Sequence, residues 1–244
     1  MGGILRVALA ALLSGLLIAG PAAAEPASGP RETVDQGYTT TAPATPTGLT
    51  FSAGYHAEGD PNAPPPYMRR MVFYPPAGFR FDTSVPGKCT ATDAQLELQG
   101  PAACPASSHI GDGTTEGLFM APITHSFVFD HFTHHLDIVN NTGEQIMLIE
   151  SEGWTVVRGK VNPDNSVEFA GPTCFPAPPA GQCADDYIIQ LGSKTSIPEY
   201  TTAAGSYATT PPTCPAEGYW ETTIRFWWSD GTTDSVAPRQ PCTT

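Results

Sequence analysis

Apolar residues recur at every second position over short stretches of this chain, the period of strands with one buried face. In GLTFSAGY, Leu49, Phe51, Ala53 and Tyr55 alternate with polar or small residues, and in YMRRMVFY, Met71 and Phe73 oppose Arg70 and Val72. Residues 135–140 and 145–150 flank Asn141-Thr142-Gly143-Glu144, and residues 155–161 and 166–170 flank Asn162-Pro163-Asp164-Asn165, so each set reads as a hairpin. Residues 187–191 form a further strand. The last hairpin runs from Tyr219 to Trp228, turns at Ser229-Asp230-Gly231-Thr232 and returns toward Val236. In its first strand Trp220, Thr222, Ile224, Phe226 and Trp228 share one face, assigned to the core, and Tyr219, Glu221, Thr223, Arg225 and Trp227 share the other. Thr92-Asp93-Ala94-Gln95 breaks the pattern with a helix start, in which the Thr92 side chain caps the amide three residues on and Gln95 reaches back. Gly100-Pro101 ends that helix, and His109-Ile110-Gly111-Asp112-Gly113 reads as a turn. Eight or so short strands and one short helix predict an all-β fold, an antiparallel β-sandwich, in a single globular domain over residues 47–244.

The chain before that domain has a different composition. Arg6, an apolar run over residues 7–19, a Gly20-Pro21 break and Ala22-Ala23-Ala24 predict a secretory signal peptide over residues 1–24. No later stretch approaches the roughly eighteen apolar residues of a membrane span. Residues 25–46, rich in Thr, Pro and Ala, read as a flexible leader. The six cysteines all lie beyond it, and an even number in an exported chain implies disulfides. Loop size favours pairing of neighbours: Cys89 with Cys104, Cys174 with Cys183, and Cys214 with Cys242. There is no C-x2-C pair for zinc. With 11 basic and 24 acidic residues the net charge is −13, which removes nucleic acid from the partners. The sequence as a whole implies secretion to the extracellular space.

Candidate chemistry is sparse. His125, Asp130, His131, His134, His135 and Asp137 crowd one stretch, and His135 and Asp137 share a strand face, but H-E-x-x-H is absent. They are read as solvated residues at the start of an edge strand, with no metal. Calcium is the one cofactor that the acidic loops admit, at Glu58 to Asn62, Asn162 to Glu168, Asp185-Asp186 and Asp230 to Asp234. G-x-S-x-G, S-x-x-K and a spare cysteine nucleophile are all missing, so no catalytic residue is assigned. On the last strand, Tyr219 and Trp227 bracket a polar strip containing Arg225, an arrangement suited to stacking sugar rings.

The segments CTATDAQLELQGPAACPASSHIGDG, IVNNTGEQIMLIE, TPPTCPAEGYW and FWWSDGTTDSV, with Pro241-Cys242, resemble a group of secreted actinobacterial proteins. The resemblance implies export and a disulfide-bearing domain, and carries neither activity nor site residues; the HFTHH run lies outside its pattern. The expectation is a binding or cell-envelope interaction module whose partner is an envelope glycan or an extracellular protein. The alternative is an extracellular hydrolase or a metal-dependent enzyme.

Overall fold

The computed structural model describes residues 24–123, 126–150, 153–171 and 187–243. The signal peptide and the Cys174–Cys183 pair fall outside these residues. Strands β1 (Ala27–Ser28), β2 (Glu32–Tyr38), β3 (Leu49–Tyr55), β4 (Met68–Tyr74) and β5 (Arg80–Phe81) precede helix α1 (Asp93–Gln99). There follow β6 (His109–Ile123), β7 (Ser126–Asn141), β8 (Glu144–Glu150), β9 (Trp154–Val161), β10 (Val167–Ala170) and β11 (Tyr187–Ile197). Short pieces β12 (Thr201–Thr202), β13 (Gly205–Ser206), β14 (Ala208–Thr209) and β15 (Tyr219–Glu221) lead to β16 (Thr223–Trp228), β17 (Thr233–Val236) and β18 (Arg239–Pro241).

The protein is all-β and antiparallel, with one short helix clasped by a disulfide. Twelve strands form a single sheet in the order β1-β2-β3-β11-β6-β7-β8-β9-β10-β4-β16-β17. The sheet coils until its ends meet, so that its two facing halves belong to one continuous ladder. Three contacts close the seam. Glu25 and Arg239 exchange backbone hydrogen bonds of 2.9 and 3.1 Å, the Arg31 guanidinium reaches Asp234 at 2.9 Å, and Tyr55 packs edge-on against Phe226 and Trp228.

Side-chain alternation explains why the ends meet. Trp220, Thr222, Ile224, Phe226 and Trp228 are all buried, as their spacing predicts, and Ile224, Phe226 and Trp228 share one core cluster with Val34 and Tyr55 from the other end of the sheet. Removing such side chains from water stabilises the closure by about 1.5–3 kcal/mol each. The hairpins turn where φ is positive, at Gly143, Asn165 and Gly231. A second cluster lies outside the coil. Ile146 and Leu148 of β8 point away from the interior, meet Val139, and are covered by Leu96 of α1 and by Cys89. The Cys89–Cys104 disulfide and the Thr92/Gln95 capping box hold α1 in that position, and Arg158 ties it to the sheet through Asp93 at 2.7 Å and Glu144 at 2.8 Å. Cys214 bonds Cys242, the second expected pair within the described residues.

Three readings are corrected. Residues 25–46 are not a loose leader: β1 and β2 lie in the main sheet, and Glu32, Val34 and Gln36 are buried. The alternation there was hidden because two of those three inward residues are polar. The HIGDG segment opens β6 rather than turning; its glycines face the β11 backbone so closely that a Cβ at Gly113 would lie 2.0 Å from the Lys194 carbonyl oxygen. The strand expected from Tyr219 to Trp228 splits at Thr222, whose amide bonds Pro238, so that β15 pairs with β18 and β16 with β4 and β17. His131, His134 and His135 lie on the part of β7 that pairs with β6 alone, because β8 joins β7 only from Leu136 onward.

Candidate functional site

Coiling leaves the inward faces of the strands around a cavity of about 160 Å³. Its walls come from ten strands and are mainly apolar, with Phe51, Met71, Phe132, Met147, Val157 and Phe169 among them. Two glycines make room for its aromatic side chains. A Cβ at Gly117 would lie 2.4 Å from the Phe132 ring, and one at Gly159 would lie 2.2 Å from the Phe169 ring, so each ring lies flat over the neighbouring strand's glycine. One end of the cavity is closed by aromatic packing. Phe81 meets Phe79 at 4.9 Å and Tyr207 at 5.7 Å, and Tyr38 stacks on Phe79 at 5.1 Å and meets Trp220 at 5.9 Å. Burial raises the pKa of the Tyr207 hydroxyl, which accepts a 2.8 Å hydrogen bond from the Gln145 amide and stays neutral.

Among the described residues the polar groups of the wall are uncharged hydroxyls and amides. Thr115 Oγ1 donates to the Gly192 carbonyl at 3.2 Å, and Gln36 Oε1 accepts from Thr222 at 2.8 Å. Gln36 Nε2 and Thr155 Oγ1 are buried without a hydrogen-bond partner. Among the described residues no Asp, Glu, Lys, Arg or His lines the cavity. The arrangement can surround a small apolar molecule and offer it hydroxyl and amide groups for hydrogen bonding.

A charged knot locks the seam at the far end of β2. Arg31, buried, donates to Asp234 at 2.9 Å, Glu58 at 3.1 Å and Asp230 at 3.4 Å, and Trp228 Nε1 donates to the same Asp234 oxygen at 2.8 Å. Beside it, burial and the Asp234 charge push the Glu32 carboxyl up to about 7. Three residues of the loops read as acidic calcium candidates thus converge on a guanidinium, which supplies their counter-charge. Asp60, Asp164 and Asp230 also accept hydrogen bonds from groups two residues on, as turn residues do, while Asp185-Asp186 lies outside the described residues.

The histidine stretch is brought together only in part. His135 Nε2 lies 3.6 Å from Asp137, and His109, 28 residues back on β6, lies 2.8 Å from the other Asp137 oxygen. His109 was invisible to spacing because its partnership runs across strands. His134 stacks on Phe132 at 4.7 Å, and desolvation lowers its pKa. His131 is exposed, and His125 and the Asp130 side chain fall outside what is described. Among the described residues no three His, Cys, Asp or Glu side chains are placed to hold a metal ion.

The expected binding row faces outward. Arg70 lies over the Trp227 ring at 4.3 Å and pairs with Glu168 at 2.6 Å; Arg225 lies over Tyr74 at 5.6 Å, and Arg239 over Tyr219 at 4.5 Å. Tyr219 and Trp227 are half-buried and Arg225 is exposed. The row is therefore a set of ring–guanidinium pairs spread over β15, β18, β16 and β4. No family model matches this chain, and neither a curated protein nor a solved structure matches it.

Proposed function

We propose that this is an exported binding module that encloses a small apolar molecule inside its coiled sheet. The cavity carries this reading. Protein interiors ordinarily close to crystal-like density, and the apolar side chains around a hollow of about 160 Å³ lack the contacts that close neighbours would supply. A bound apolar molecule would supply many of those contacts. The two disulfides, and the lack among the described residues of a helix long and apolar enough to cross a membrane, support an extracellular setting.

Benzene is a suitable probe, because an engineered cavity of about 150 Å³ admits it. At about a hundred times its Kd it should add about 2.7 kcal/mol to stability and raise the thermal midpoint by several degrees. Val157→Phe, which projects a ring into the same space, should remove that shift while the protein stays folded by circular dichroism. A wild-type midpoint that does not respond to benzene would reject the reading.

The outer row supports a second binding surface, for envelope glycan, because part of the Trp227 ring remains accessible beside Arg70. Trp227→Ala should abolish retention on envelope polysaccharide and lower stability by only about 1 kcal/mol, the scale of an exposed cation–π pair. A loss of about 3–5 kcal/mol on chemical denaturation, with retention unchanged, would instead assign Trp227 to packing.

A further inference from the structure

We infer that the enclosed molecule is neutral and carries an acceptor oxygen that is hydrogen-bonded by Thr155. The inference rests on the cavity reading and specifies the chemistry of its occupant.

Thr155 is fully buried on β9, opposite Ile149 of β8, and its hydroxyl finds no partner among the described residues. It is nonetheless part of the cavity wall. Buried hydroxyls are nearly always paired, because an unpaired one loses its hydrogen bonds to water and gains nothing in exchange. A hydrocarbon would leave Thr155 unpaired, whereas a carbonyl, ether or hydroxyl oxygen would accept its proton. Gln36 Nε2, also buried, unpartnered and on the wall, is a donor only and calls for an acceptor as well.

Charge is excluded on separate grounds. With no cationic side chain on the described wall, an enclosed carboxylate or phosphate would lose its hydration without a counter-ion. The occupant's size follows from the volume, which suits a single ring with a short substituent.

Three isosteric probes separate these claims: acetophenone, isopropylbenzene and benzoate, titrated calorimetrically into wild type and Thr155→Val. Valine keeps the shape and removes the unpaired hydroxyl, so the variant should melt at the wild-type temperature or above it. Thr155→Val should weaken acetophenone by about five- to tenfold, the loss of one hydrogen bond. Isopropylbenzene should bind the variant as tightly as wild type or more tightly, and benzoate should bind neither. Equal acetophenone affinity in the two proteins overturns the role of Thr155 while leaving the cavity reading intact. Benzoate binding at the affinity of acetophenone overturns neutrality. If neither neutral probe binds wild type, the cavity reading itself fails.

Discussion

Arg31→Met should destabilise the protein by about 3–5 kcal/mol, the range for removing one partner of a buried ion pair. The size of the effect comes from what is left behind. Asp234 is nearly as buried as Arg31 and would keep only the Trp228 indole as a donor, while the neighbouring Glu32 is completely buried. Glu58 and Asp230, which are more exposed, would regain water and contribute little. Arg31→Lys keeps the charge but not the fork that spans three carboxylates, and should fall between wild type and Arg31→Met. Urea unfolding followed through tryptophan fluorescence measures all three. A loss below about 1 kcal/mol for Arg31→Met would mean that the knot behaves as solvated surface charge.

The same knot shows what could be read from the chain and what could not. The core face of the last hairpin was legible because Trp220, Ile224, Phe226 and Trp228 recur at period two, and a strand buries whichever face carries them. The capping box at Thr92 was equally legible, since both of its hydrogen bonds lie within one turn. Arg31 carried no signal. Its partners are 27, 199 and 203 residues away, and only the meeting of the sheet's two ends brings them together. The strand that carries Glu32 escaped notice for a related reason: Glu32 and Gln36 alternate correctly with Thr33, Asp35 and Gly37, but polar residues at inward positions do not register as a hydrophobic period.

The cavity was hidden in another way. Phe132, Leu136 and Ile138, or Met147 and Ile149, have the spacing of any core face, and the sequence does not say whether opposing side chains will touch or stop short. That depends on how many strands the sheet contains before it closes. The unpaired hydroxyl of Thr155 is likewise a product of the closed fold, since a threonine on a strand that faced solvent would be satisfied by water.

Stability should fall as pH rises from about 4.5 to about 7, by up to about 3 kcal/mol, because of Glu32 alone. Its carboxyl, ordinarily near 4.5, is pushed up to about 7, first by burial and next by the Asp234 charge; the Arg31 amide at 3.1 Å, the Arg31 guanidinium and His56 oppose the shift without cancelling it. A raised folded-state value means that the native protein holds this proton across a window in which the unfolded chain has released it. The native state then binds more protons than the unfolded one, and the dependence of unfolding free energy on pH is negative there. The stabilising contribution is complete below about 4.5, is lost through the window, and stays lost above about 7. Glu32→Gln imitates the protonated form at every pH. It should match wild type near pH 4.5, exceed it at pH 8 by most of the same difference, and lack this component of the slope. Thermal melts of both proteins from pH 4 to pH 9 in a constant-ionic-strength buffer make the comparison. Parallel curves across that range would show that Glu32 titrates as a solvated carboxylate, and that the seam beside Arg31 is open to water.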